Sequence, residues 1–511
     1  MNLARQISET ARKYPDKPAV IFEGTVYTFG DIDRQVEEYT AMLEAMRVRS
    51  GDRVALQLSK RMEFIFLHLA IMSMGAVSLP LNPDYKPEEI NYFLTDSGST
   101  VLFAERATYS RAKAALGGIR GMRTVLVDAD EVGEASSFAR EINRAESGFV
   151  REFRTREDDV AMICYTSGTT GKSKGATITH RNLISNMMDL KKIWHWTDRD
   201  VLLHVLPLFH VHGLAVALHG SLNAGSTLIM LEKFDPARTW EMIETEKCTM
   251  LMGVPTMYQR LTDQWDRMDD KPDLKAMRVF ISGSAPLSEN QFRCFEQQTG
   301  FRILERYGMT ETGMITSNPY DPIGRKAQSV GYPLPSVRIR VVDEHGKDVV
   351  PGEVGEVLIQ GDNVFKGYHG MPDKTRESFG EGWFRSGDLG YRDPEDNNRL
   401  YLVGRTKELI ITGGYNVYPK EIENLLETHE AVKESAVIGL QDKDLGERVA
   451  AIVALRVRDT TETSDSLIDY CKQHIASYKC PKLVLFVDRL PRNAMGKVQK
   501  NRLMEQYQLP S

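Results

Sequence analysis

Between Tyr165 and Ala176 the chain gathers four hydroxyls (Thr166, Ser167, Thr169, Thr170), three glycines (Gly168, Gly171, Gly175) and two lysines (Lys172, Lys174). Such a run suits a polyphosphate: glycines let backbone N–H groups approach the oxygens, hydroxyls add donors, and lysines add charge. It is not the ordinary P-loop, because Thr166 stands where that pattern requires its first glycine. A second run, Glu305-Arg-Tyr-Gly-Met-Thr-Glu-Thr312, orders its groups just as pointedly. Tyr307 offers a flat face to a purine, Thr310 a donor to phosphate, and Glu311 a hard oxygen to Mg²⁺. Three shorter runs accompany them. Ser282-Gly-Ser-Ala-Pro286 ends a strand in small residues, Ser386-Gly-Asp-Leu-Gly390 puts the carboxylate of Asp388 in a tight turn, and Pro491–Lys497 carries a lysine near the end of the chain.

These residues need a scaffold, and the apolar pattern predicts one. Over residues 1 to about 150, short apolar runs (Arg53–Gln57, Ala76–Leu79, Thr100–Phe103) alternate with helical stretches, a βαβ rhythm that predicts doubly wound α/β sheets. Asp159–Cys164 reads as a buried strand before the hydroxyl-rich loop, and Thr177–Leu183 leads from it into a helix. Val201–Leu206, Thr227–Leu231, Thr249–Met252, Val279–Ser282 and Arg302–Leu304 continue the strands. Each ends in a loop of Gly, Pro or polar residues, so the informative loops converge on one crevice at the strands' carboxyl ends. From about 325 to 404, strand-like runs succeed one another without long helices, which predicts a small β-barrel-like subdomain. The predicted division is a large N-terminal domain over 1–404 and a small mobile α+β domain over 405–511, with helices beginning near Pro419 and Ser466.

Composition narrows the function classes. At 511 residues, with 41% hydrophobic and 27% charged residues, the chain reads as a globular protein of two or three domains. A net charge of −6 implies no broad nucleic-acid or anionic-membrane surface. Five scattered cysteines form no C-x-x-C pair and suggest reduced thiols. No signal or transit pattern is read at the N-terminus, and a cytoplasmic location is expected. The uncharged run Phe64–Asn82 is divided by Gly75 and Pro80, which predicts a buried helix–strand unit instead of a membrane span.

Taken together, the motifs resemble those of the adenylate-forming superfamily, which holds acyl-CoA synthetases, luciferases and peptide-synthetase adenylation domains. The likeness spans essentially the whole chain, and it implies a role for each motif. By this resemblance, the loop from Thr166 to Lys174 grips the β- and γ-phosphates of ATP. Ser284, Ala285 and Pro286 flank the adenine. The nucleotide is lined by Glu305, Arg306, Tyr307, Gly308, Met309 and Thr310, with Tyr307 stacked on adenine, Thr310 on the α-phosphate and Glu311 on Mg²⁺. The resemblance further implies that Asp388 accepts the ribose hydroxyls, that Arg405 contacts ribose and phosphate, and that Lys407 is the hinge about which the small domain swings. Lys497 is expected to reach nucleotide and carboxylate in the first step. Gly413, Gly414 and Tyr415 are expected to pass the pantetheine arm of coenzyme A in the second. Lysines matching Lys497 are acetylated in some members, so a protein lysine acetyltransferase is an implied partner. No Gly-x-Ser-x-Gly elbow stands out near the key strands, which disfavours a serine hydrolase.

Within the superfamily the chain resembles malonyl-CoA synthetases most, through Leu251–Arg260, Glu305–Thr312, Thr316–Tyr320 and Asn363–Tyr368. The implied substrate is malonate or methylmalonate, converted to its CoA thioester through an acyl-adenylate. Arg260 and Arg306 fall where the dicarboxylate is handled in those enzymes, His210 falls at the substrate gate, and Val211 and Met309 are candidate pocket walls. A planar guanidinium can hold a spectator carboxylate by paired, charge-assisted bonds. Three other readings stay open: a CoA ligase for a different small or medium acid, a stand-alone carrier-loading adenylation enzyme, and a nucleotide-binding sensor without catalysis.

Overall fold

A computed structural model describes residues 2–117, 119, 121–132, 135–145, 153, 155–166, 173–457, 462–493 and 496–508. The architecture is α/β, with a large N-terminal part built on two extended sheets and a small C-terminal part built on a third. The centre of the largest sheet is parallel: Thr227–Met230, Val201–His204, Met250–Gly253, Val279–Ser282 and Leu304–Met309 lie side by side. Their apolar residues are covered on both faces, as parallel strands require. The carboxyl ends of three of them release the loops that begin at Val205, Val254 and Gly283, so the predicted convergence of loops is what topology delivers.

The second sheet runs from Gly367–Tyr368 through Lys174–Thr179, Val160–Thr166, Val77–Pro80 and Arg53–Gln57 to Val101–Ala104 and beyond. The uncharged run near residue 64 folds as the helix Met62–Ser73, buried on every side, and then as the strand Val77–Pro80. No described helix is long and apolar enough to cross a membrane.

Three local expectations need correction. First, a strand stands between the hydroxyl-rich loop and the helix that follows it. Val160–Thr166 and Lys174–Thr179 pair antiparallel, with Thr166 opposite Lys174, so the loop joins the arms of a hairpin. The β-branched Thr177-Ile-Thr179 stretch favours extension. The helix His180–Ile193 starts only after Thr179, whose side chain accepts from the Asn182 amide in a capping box. Second, Glu305–Met309 continues a strand instead of forming a loop. Third, Asp388 lies within the long strand Trp383–Asp393, not in a tight turn.

The region from 325 to 404 is antiparallel, but apart from Gly367–Tyr368, which joins the second sheet, its strands extend the large sheet, in the order Ser329–Pro333, Arg399–Arg405, Trp383–Asp393, Gly355–Gly361 and Val337–Val342. Among the described residues no ladder closes this stretch into a barrel. The small C-terminal sheet contains Tyr415–Val417, Ile410–Thr412, Gly446–Leu455, Val432–Asp442 and Leu483–Val487. Its helices span Pro419–Leu426, Ser464–His474 and Lys500–Tyr507. A proline at the first position of the helix from Pro419 suits an N-terminus, where no N–H partner is missed.

Candidate active site

Three groups singled out separately in the sequence meet at one edge of the cleft. Tyr307, on the strand Leu304–Met309, is 9% exposed and donates its hydroxyl to Asp388 Oδ2 at 2.5 Å. Asp388 Oδ1 pairs with Arg405 Nε at 3.2 Å, and the two are cross-strand partners in register. A planar ring, a carboxylate and a guanidinium are thus preassembled as a rigid unit.

Thr310 and Glu311 come next, at the end of the Tyr307 strand. Glu311 is buried and accepts from the Tyr368 hydroxyl at 3.0 Å. Burial raises its carboxyl above the ordinary range. The ring of Tyr368 carries Lys174 on its face, with Nζ 3.9 Å from the centroid. Burial lowers the Lys174 ammonium, while the charge of Glu311 opposes that shift. Tyr368 therefore joins the exit of the hydroxyl-rich loop to the carboxylate, a link that the sequence did not single out. A buried hard-oxygen group beside the loop fits a divalent cation. Ser167, Gly168, Thr169, Thr170, Gly171 and Lys172 lie outside the described residues; Thr166, at the loop's entrance, is half-buried.

On the other side of Tyr307 lies Arg306, which is 2% exposed. Its Nε and Nη2 are buried and have no hydrogen-bond partner among the described residues. Burial pulls its guanidinium down to about 9. Among the described residues, the ionisable groups that feel its charge are Tyr258, His210 and His212, none of them a carboxylate. His210 is half-buried, accepts weakly from the His212 amide at 3.5 Å, and is held at about 4 by burial and by the charge of Arg306. His212 is buried, with its Nδ1 3.2 Å from Ser284 Oγ. His210 and His212 precede and open a π-helical turn, His212–Leu218, a distortion that often marks functional sites.

The Ser282–Pro286 run turns sharply beside them. Ser284 has φ +71°, a left-handed conformation that a serine adopts at some cost. The turn is fastened by Leu287, whose N–H donates to Glu305 Oε1 at 2.9 Å. Glu305 is 3% exposed, and burial pushes its carboxyl up to about 8. Ser284 and Ala285 are half-buried and Pro286 is exposed. Gly308 and Met309, next to Tyr307, are half-buried. Val211, Thr310, Glu311 and Asn363 line one cleft.

Arg260 is placed differently from Arg306. It is exposed on the helix Pro255–Arg267, whose buried stripe is Tyr258, Leu261, Thr262 and Trp265. Position 260 falls off that stripe and shares a face with Thr256 instead. The two arginines are therefore not joined in one buried clamp. Arg306 alone is buried.

The small domain closes the cleft from above. Lys497 is half-buried, with its ammonium pulled down to about 8, by burial first and then by the charge of Arg405; Asp388 and Glu408 oppose the shift. Beside it, Gly496 has φ +73°, and a Cβ there would lie 2.6 Å from Thr256 Oγ1 across the cleft. Asn424 of the small domain donates to Gln328 Oε1 at 3.1 Å. Lys407 lies exposed in the turn Thr406–Glu408 between the two parts. Gly413, Gly414 and Tyr415 are exposed, and the Tyr415 ring lies 4.7 Å from that of Tyr478. Reasoning from sequence missed His212, Tyr258 and Tyr368. All three sit inside or beside the motif-bearing runs, but only three-dimensional placement beside Arg306, or beside Glu311 for Tyr368, shows their relevance.

Comparison with known proteins agrees with this geometry. Residues 7–369 match the family model described as AMP-binding enzyme, and residues 421–497 match the AMP-binding enzyme C-terminal domain. The chain is similar to the ATP-bound structure of MatB from Rhodopseudomonas palustris, with 40% identity, a TM-score of 0.91 and 99% of each chain covered. It is 35% identical to the mitochondrial malonate–CoA ligase of Mus musculus, over 89% of this chain and 82% of that protein. It is 31% identical to the long-chain-fatty-acid–CoA ligase of Bacillus subtilis, over 98% and 93%. With both family regions matched, the chain belongs to the AMP-binding enzyme family, as one of its ATP-using acyl-CoA ligases.

Proposed function

We propose that this ligase activates a short dicarboxylic acid, malonate or methylmalonate, and converts it to its CoA thioester. The observation that carries the reading is Arg306, a buried guanidinium that, among the described residues, has two nitrogens meeting no hydrogen-bond partner and no carboxylate among the groups that feel its charge. Leaving such a charge unpaired costs roughly 3–5 kcal/mol. A second carboxylate on the substrate would repay that cost, whereas a hydrocarbon tail would not. The malonate–CoA ligase among the relatives points the same way.

In the first step a carboxylate oxygen attacks the α-phosphorus of ATP and pyrophosphate leaves. Tyr307 stacks on the adenine, Asp388 and Arg405 hold the ribose, and Thr310 and Lys497 donate to the phosphate and the attacking carboxylate. The loop from Thr166 to Lys174 holds the outer phosphates, with Ser284, Ala285 and Pro286 along the purine. Glu311 is the residue that would hold Mg²⁺, which screens phosphate charge when bound. The small domain, from about 405 to 511, then turns about Lys407 and brings Gly413, Gly414 and Tyr415 to the cleft. The thiol sulfur of coenzyme A attacks the acyl carbon, and AMP leaves. His210 gates the approach, while Val211 and Met309 bound the acid. Acetylation of Lys497 by a protein lysine acetyltransferase would remove the charge used in the first step.

The test is a panel of acids (malonate, methylmalonate, oxalate, propionate, benzoate and a fatty acid) assayed for AMP release with ATP, Mg²⁺ and CoA, in the parent protein and in Arg306→Ala. The expected result is a preference for malonate or methylmalonate that Arg306→Ala lowers by about 100-fold relative to propionate, the loss of a charge-assisted carboxylate contact. Equal use of malonate and propionate by the parent protein would reject the dicarboxylate reading.

A further inference from the structure

The guanidinium of Arg306 lies directly over Gly283. A Cβ built on Gly283 would fall 2.6 Å from Arg306 Nε and closer still to Cζ and Nη1. Real side-chain carbons do not approach so near, and Arg306 has little room to retreat. It is 2% exposed, so any shift is made among packed neighbours. Gly283 is itself held close: its N–H donates to Gly253 O at 3.3 Å, which ties the turn to the neighbouring strand. On its far side the turn is pinned by the Ser284–His212 contact and by the left-handed backbone of Ser284. The turn therefore cannot simply lean away from an added methyl group.

We propose that Gly283 is a specificity-determining position. Its missing side chain is the flat bed on which Arg306 lies, and that bed sets where the guanidinium presents its N–H groups. The inference rests on the reading of Arg306 as the partner of the second carboxylate, and it extends that reading to a position that has no side chain of its own. A methyl group at 283 shifts the guanidinium out of line. Paired bonding to a carboxylate is lost first, because it needs both donors in one plane. An acid with a single carboxylate suffers less, since it asks nothing of that plane.

The test is a double-mutant cycle on the full-length enzyme: parent, Gly283→Ala, Arg306→Ala and the double variant. Steady-state kinetics with malonate and with propionate are measured beside thermal unfolding. In Gly283→Ala we expect kcat/KM for malonate to fall by about 100-fold, mostly through KM, and by at least about ten-fold more than for propionate. In the Arg306→Ala background the same methyl group should change neither substrate's kcat/KM by more than about three-fold, because the group that it displaces is gone. A comparable loss for malonate and propionate in folded Gly283→Ala overturns the proposal, as does a methyl effect that persists undiminished without Arg306. If Gly283→Ala proves too unstable to assay, the double variant should recover a melting temperature close to that of Arg306→Ala; failure to recover also overturns it. The failure of the underlying reading looks different, since Arg306→Ala would then itself spare malonate.

Discussion

The small domain turns two differently equipped faces to the world. One carries Lys497 into the cleft, half-buried, within reach of the charges of Arg405 and Asp388, with Gly496 against Thr256 of the large domain. The other carries Gly413, Gly414 and Tyr415, all exposed. Each face bears glycines in the left-handed region, at φ +73° for Gly496 and at +56° and +82° for Gly413 and Gly414. Only the first meets the large domain. On the proposed two-step reading, the difference is what a domain with two tasks shows while placed for the first. If that reading holds, one cleft does two chemistries without a second set of residues in the large domain, because a cation and a bare backbone strip take turns at its mouth.

The comparison can be broken most sharply at Lys497. In Lys497→Ala, acyl-adenylate formation, read by pyrophosphate exchange, should fall by about 10²–10³-fold, the size expected for a preorganised charge at the transition state. Thioester formation from supplied acyl-adenylate and CoA should change little. A matched loss in both steps would erase the distinction between the faces. The reverse experiment is Gly414→Val. A β-branched residue resists φ +82°, so this variant should slow thioester formation by about ten-fold while leaving pyrophosphate exchange within about three-fold of the parent. The smallest effect is in pH. The Lys497 ammonium is lost as pH rises through about 8, because burial and Arg405 lower it from its ordinary range. For the first step, kcat/KM should therefore decline above that pH, and the profile for the second step should lack that limb. A first-step profile that is flat from about pH 7 to 9.5 would mean that the lysine's charge is not used.

Much of this organisation was legible in the sequence, for reasons that can be named. The apolar runs at Val201–His204 and Val279–Ser282 are buried parallel strands, and runs of that kind announce themselves by composition. The loops at their carboxyl ends are a consequence of the topology. The grouping of Tyr307, Asp388 and Arg405 came from the resemblance, not from spacing, since 81 residues separate the first two. What stayed hidden depended on direction. The burial of Arg306 and the exposure of Arg260 turn on which way a strand and a helix face, and charge alone gives the two residues equal claims. The hairpin entered by Thr166 and left by Lys174 was hidden because a strand and a helix both begin plausibly at Thr177-Ile-Thr179. The barrel expectation failed for a similar reason: antiparallel strands in sequence do not say whether their outer edges meet.

Tyr368 has a further consequence for how readily the cleft accepts its nucleotide. Lys174 and Glu311 carry opposite charges close together, yet one sits on the face of the phenol ring and the other on its hydroxyl. Among the described residues the two form no contact ion pair, and the ring of Tyr368 touches both. Had they formed one, an arriving triphosphate would first have to tear that pair apart. Placed on one ring instead, the cation and the anion each stay available to a newcomer, and the cleft is spared a lock that its own ligand would need to open.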